Sequence, residues 1–138
     1  MTKQNKPTAA ELEILSVLWE TGSATVKEVH EKLNENKPTT YTTVLKFLQI
    51  MTEKGLVERD DANKAHIYRA ALTQEQTQTT LVTDLLEKAF RGSALKLVQH
   101  VLETKPTNAK ELAEIRKMIT EAEKQSEKET EGKTGEKR

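Results

Sequence analysis

The sequence predicts a mainly α-helical chain with one small β-hairpin, on three observations. Apolar residues recur at intervals of three and four through most of its 138 residues. Thr stands three positions ahead of Glu or Gln at three of the expected helix starts. Two short runs rich in Val, Ile and Tyr flank one turn rich in Asp, Asn and Lys near the middle.

Thr8-Ala9-Ala10-Glu11 is a capping box, in which the Thr hydroxyl and the Glu carboxylate each satisfy a backbone N–H at the helix mouth. Leu12, Leu15, Leu18 and Trp19 follow at helical spacing, so a first helix is expected over about residues 9–20, ended by Gly22. Thr25-Val26-Lys27-Glu28 is a second capping box, opening a short helix with Val26, Val29 and Leu33 on its inner face. Lys37-Pro38 breaks the chain. A third helix starts near Thr39 or Thr40, with Val44, Phe47, Leu48 and Met51 as its apolar stripe and Gly55 as its stop. Leu56-Val57-Glu58-Arg59 and His66-Ile67-Tyr68-Arg69 read as paired strands around the turn at residues 60–64. Three short helices and then a hairpin, over residues 1–72, make the layout of a winged helix-turn-helix domain.

The second half changes character. Thr73-Gln74-Glu75-Gln76 resembles a further capping box, and three helices are expected over residues 73–120, interrupted at Gly92 and at Lys105-Pro106. Leu81, Leu85, Phe90, Leu97, Val98, Val101, Leu102, Leu112, Ile115 and Ile119 give them wide apolar faces with few residues to cover them. A second copy of the chain is the simplest cover, which makes this a helical dimerisation segment. Folding back onto the first domain is the alternative. Residues 121–138 are almost wholly charged and polar, and are expected to be a disordered tail.

Composition narrows the function. The chain has no Cys, which excludes disulfides, thiolate metal sites and a Cys nucleophile. Its four Ser, three His and three Asp are scattered without a triad, and its five Gly are too dispersed to cradle a phosphate. His30, His66 and His100 fall on three different elements, against metal ligation. No enzyme, cofactor or metal is expected. The polar N-terminus and the lack of a long apolar run predict a cytoplasmic protein with no membrane association. Lys and Arg total 22, and Asp and Glu total 22, so any cationic face has to come from the order of residues.

That order points to duplex DNA. In a helix-turn-helix the second helix of the pair enters the major groove by its N-terminal turn. Here that turn is Thr39-Thr40-Tyr41-Thr42-Thr43, with Lys46 one turn on. Short hydroxyls bond phosphates or bases, Thr methyls meet thymine methyls, and a helix mouth favours an anion. Caps alone need only one or two of these Thr. Thr42 and Lys46 share a face opposite the apolar stripe, while Thr43 falls at its border. Tyr41 is left open between a sugar or base contact and packing on the first helix. In the hairpin, Lys64 suits a backbone contact best, with His66 and Arg69 beside it and Arg59 on the facing strand; Asp60 and Asp61 should sit away from the duplex.

In these pieces the sequence resembles the penicillinase-repressor family (BlaI, MecI, CopY) over about residues 7–119. The resemblance rests on Thr8-Ala9-Ala10-Glu11-Leu12-Glu13-Ile14-Leu15, Leu18-Trp19, Thr25-Val26-Lys27-Glu28-Val29 and Tyr41-Thr42-Thr43-Val44. Glu53-Lys54-Gly55-Leu56-Val57, Tyr68-Arg69 and Phe90-Arg91-Gly92-Ser93 continue it. It implies a homodimeric repressor on a palindromic operator, with Thr40, Thr42, Thr43 and Lys46 as contacts and about residues 74–120 as the dimerisation region. It also implies relief by an inducing protease that cuts in that region. The family's Asn-Phe cleavage dipeptide falls here on Gln99-His100, within the stretch Gln99, His100 and Val101, and neither residue matches. The copper-responsive members' Cys cluster has no counterpart. Two other readings of the residues stay open: a winged-helix module that binds a protein, and a regulator from another winged-helix family that senses a small ligand.

Overall fold

The computed structural model describes residues 6–62 and 64–136, with side chains described as far as residue 130. The chain divides into two compact units that meet between Arg91 and Gly92. The first holds α1 (Ala9–Thr21), β1 (Ala24–Thr25), α2 (Val26–Asn36), α3 (Tyr41–Lys54), β2 (Val57–Asp60), β3 (Ile67–Ala70) and α4 (Gln74–Lys88). The second holds α5 (Ala94–Thr104) and α6 (Ala109–Glu136).

The helix starts follow from their caps. Thr8, Thr25 and Thr73 each accept a hydrogen bond from the backbone N–H three residues on, and the Glu11, Glu28 and Gln76 side chains each accept one from the cap residue's own N–H. These capping boxes fix where α1, α2 and α4 begin. Thr40 caps α3, and Gly55 ends it in the left-handed conformation (φ 80°) that a side chain disfavours.

Ile14, Leu15 and Leu18 of α1, Val26 and Val29 of α2, and Val44, Leu48 and Met51 of α3 meet Ala24, Leu56, Val57 and Tyr68 in one core. The sheet is antiparallel in the order β1-β3-β2, with Ala24 opposite Tyr68 and Arg59 opposite Tyr68 on the other side. The two-residue strand β1 extends the expected hairpin to three strands. Its pairing comes from β3, some 40 residues later, so it has no local signature. The Trp19 indole N–H donates to the Leu72 carbonyl at 2.9 Å, tying α1 to the chain that leaves β3.

In the second unit α5 has no buried residue, and Val98, Val101 and Leu102 are all exposed. The tail does not match the disorder expected from residue 121: α6 runs on to Glu136. Its Ala, Glu, Lys and Gln are strong helix formers, no Pro follows Pro106, and Lys124 lies 4.0 Å from Glu121 one turn earlier. Low hydrophobicity keeps this segment solvated without preventing a helix. Residues 137–138 lie outside the described residues.

One polar pair lies against the first unit's core. The Glu11 carboxylate is 3% exposed; it accepts from Lys54 Nζ at 2.7 Å and from the Thr8 N–H at 2.9 Å. Burial pushes its pKa up, but the Lys54 and Thr8 hydrogen bonds and the Lys54 charge outweigh that and hold it below the usual carboxylate value. The pair pins the start of α1 to the last turn of α3. Its stabilisation is therefore complete above the ordinary carboxylate pKa and is lost as pH falls through the depressed one. Glu11→Gln keeps the cap acceptor and loses the ion pair, and Lys54 is exposed enough to rehydrate. The expected cost is about 1 kcal/mol, rising to about 2–3 for Glu11→Ala. Urea unfolding followed by Trp19 fluorescence reads this unit alone, and the gap between wild type and Glu11→Gln should close on acidification.

Candidate nucleic-acid interface

The first turn of α3 is organised by its own hydroxyls. Thr40 Oγ1 accepts from the Thr43 N–H at 3.2 Å, and the two hydroxyl oxygens lie 2.8 Å apart. Thr40 and Thr43 are thus engaged with each other as a cap. Thr43 also lines a shallow cavity of about 220 Å³ with Leu33, Pro38, Val44 and Phe47. Thr42 and Lys46 are exposed, and among the described residues neither side chain has a hydrogen bond or ion pair. Val44, Leu48 and Met51 are buried on the opposite side of the helix, so α3 turns Thr42, Lys46 and Gln49 outward together. Tyr41 is 47% exposed, its ring edge-on to His30 with centroids 6.1 Å apart.

Beside this face runs a groove of about 660 Å³ between the N-terminus of α2, α3 and the hairpin. Tyr41, Lys64 and His66 line it, as do Lys27, Gln49 and Arg59, and no carboxylate does. Lys27 and Gln49 escaped the sequence reading. Gln49 was within reach, lying seven residues after Thr42 on the same helix face. Lys27 carries no local signal, because the packing of α2 on α3 brings it there.

Three other acids line a different groove. Glu13, Glu20 and Glu35 line a groove of about 440 Å³ between α1 and α2, together with Lys32 and Lys37.

The wing balances its own cations. Arg59 Nε lies 2.7 Å and His66 Nδ1 2.8 Å from the same Asp61 oxygen. The Asp61 bond, with a smaller one from Tyr68, raises the Arg59 pKa above its ordinary value. Asp60 accepts from the Ala62 N–H at 2.9 Å, closing the turn, while Asn63 lies outside the described residues. Arg69 pairs with Glu58 across the strands at 3.1 Å and does not line the groove. Lys64 has no ion pair among the described residues. Asp61 thus sits among the cations, whereas the sequence reading set it apart from the proposed contact.

Of the ten apolar residues assigned to the dimerisation segment, Leu81, Leu85 and Phe90 fall in or just after α4 in the first unit. Leu97, Val98, Val101, Leu102, Leu112, Ile115 and Ile119 fall in the second, and none of the ten is buried. Gln99, His100 and Val101 are exposed along α5. Among the described residues no His, Asp and Glu cluster could hold a metal, and no helix is long and apolar enough to cross a membrane.

Three helices, a three-stranded sheet and an exposed helix mouth beside a hairpin define a winged helix-turn-helix protein. The penicillinase repressor family matches residues 7–121, and the chain belongs to it. It is 30% identical over 125 residues to the transcriptional regulator BlaI of Mycobacterium tuberculosis (strain ATCC 25618 / H37Rv), covering 89% of each chain. It is 19% identical to a penicillinase repressor of Staphylococcus aureus, over 88% of this chain and 97% of that one. Among solved structures, the complex structure of hsRosR-SG aligns with a TM-score of 0.50 at 17% identity, covering 88% of this chain and 96% of that one. The solution structure of the DNA-binding domain of the repressor BlaI covers 54% of this chain and 90% of that domain, with a TM-score of 0.48 and 23% identity.

Proposed function

We propose that the chain is a transcriptional repressor that binds a palindromic duplex operator as a homodimer. The observation that carries this reading is the outward start of α3, with Thr42 and Lys46 unpaired among the described residues beside a groove lined by Lys27 and Lys64 and by Arg59 and His66, which Asp61 holds. In the proposed complex this turn enters the major groove, Thr42 meets base edges, and Lys46 meets phosphate. Thr40 and Thr43 hold the turn, and Tyr41, Lys64 and His66 follow the adjoining backbone. Arg69 reaches phosphate only by leaving Glu58.

One such head reads few base pairs, so affinity requires two. The exposed faces of α5 and α6 supply the means, since Val98, Val101, Leu102, Leu112 and Ile119 are open to solvent in the single chain. Residues 1–72 are then the reading head and residues 73–120 the joining segment. Tethering makes the second half-site contact effectively intramolecular. Proteolysis within 99–101 would release the dimer. Support for it comes from α5 itself, along which Gln99 and His100 are exposed in the single chain.

Binding to duplexes selected from a randomised library tests the reading. Lys46→Ala should weaken binding about tenfold and lower the slope of log affinity against log salt by about 1 per head. Thr42→Ala should broaden the preference at one base-pair position. Asp61→Asn, which releases Arg59 and His66, should tighten binding and steepen the slope. Affinity that barely responds to salt would instead indicate a protein partner.

Dimerisation has a separate check. Leu102→Glu should convert a dimer to a monomer by sedimentation at micromolar concentration, with the Trp19 unfolding transition of the first unit unchanged.

A further inference from the structure

Thr39, the residue just before the α3 cap, has both of its backbone groups held by side chains of α2. His30 Nε2 lies 2.8 Å from the Thr39 carbonyl oxygen and donates to it. Asn34 Oδ1 accepts from the Thr39 N–H at 3.0 Å. His30 and Asn34 are four apart and therefore on one face of α2. The His30 ring also stands edge-on to Tyr41, two residues beyond the clamped peptide.

This arrangement exceeds what helix capping requires. The Thr40 hydroxyl already satisfies the Thr43 N–H. Neither His30 nor Asn34 belongs to the buried core, His30 being half-buried and Asn34 exposed. What they add is direction. With Thr39 gripped at both its N–H and its carbonyl, the connection from Pro38 has no freedom to swing the first turn of α3.

We propose that His30 and Asn34 are positioning residues for base recognition, fixing the entry angle of α3 without touching the duplex. The inference rests on the assignment of that turn to the major groove. A base contact is directional and fails when its side chain moves by about an ångström, whereas a phosphate contact tolerates the shift. Loss of the clamp should therefore erode specificity ahead of affinity for duplex in general.

The experiment uses the full chain, a duplex selected by the wild type from a randomised library, and a poly(dI-dC) duplex as the non-specific probe. His30→Ala and Asn34→Ala should each lower affinity for the selected duplex about tenfold and for poly(dI-dC) less than twofold. Their melting temperatures should stay close to wild type. His30→Gln, which keeps a side-chain N–H donor, and Asn34→Asp, which keeps the acceptor, should recover most of the loss. A role confined to stability would lower melting temperature and both affinities together, which overturns the proposal. Unchanged discrimination in both Ala variants overturns it as well. A wild type that selects no duplex removes the major-groove assignment itself, and this inference with it.

Discussion

The rotation of α3 about its own axis is the constraint on which the rest depends. Val44, Leu48 and Met51 are each no more than 1% exposed, packed among Leu15, Leu18, Val29 and Tyr68. A turn of the helix that exposed them would cost roughly 1.5–3 kcal/mol for each side chain brought into water. The face presented outward is therefore a consequence of the core. Thr42, Lys46 and Gln49 project because the stripe opposite them cannot. Glu11 and Lys54 hold the far end of the same helix, and Thr39 is gripped at the near end, so neither terminus can slide.

Electrostatics operate within that frame. Total charge is zero, yet the groove beside α3 has no carboxylate among its lining residues, whereas three Glu and two Lys line the groove between α1 and α2. Field strength at a face depends on nearby charges within about a Debye length, close to 8 Å in physiological salt, and little on the total. Asp61 moderates even the local field by holding Arg59 and His66. An anionic duplex would have to compete with that carboxylate for both cations, leaving Lys64 as the wing's uncommitted charge. Such a wing favours weak, reversible contact with the phosphate backbone and leaves discrimination to α3.

Much of this was legible in the sequence wherever the cause is local. The capping boxes at Thr8, Thr25 and Thr73 each form as the spacing predicts, because a cap needs only four consecutive residues. The outward pairing of Thr42 with Lys46 follows from helical periodicity alone. What escaped depends on partners distant in the chain. Glu11 was readable as a cap but not as the partner of Lys54, 43 residues away. Strand β1 exists only because β3 pairs with it. Asp61 was expected to stand clear of phosphate, but the hairpin folds it onto Arg59 and His66, and no pattern of spacing shows which side of a turn a short side chain takes. The continuation of α6 past residue 120 was missed for a different reason: composition reports the want of a core and says little about helix propensity.

The two units differ in how they satisfy their apolar residues, and that difference argues for the division of labour. The first unit buries a core within one chain, including an aromatic ring, Tyr68, at 1% exposure, and leaves Val82 and Leu85 of α4 exposed. The second presents Val98, Val101, Leu102, Leu112, Met118 and Ile119 at 38% exposure or more. Isolated helices of 11 residues are marginal in water, so α5 draws little stability from its own hydrogen bonds. In the proposed dimer such a segment would gain its structure by association, and its stability would depend on protomer concentration. Under that proposal, coupling a self-sufficient reading head to a segment ordered by pairing would make occupancy of a two-fold site depend on the joining helices. Any event that weakened the joint, such as the proposed cut in α5, would then act on duplex affinity without altering a single contact residue.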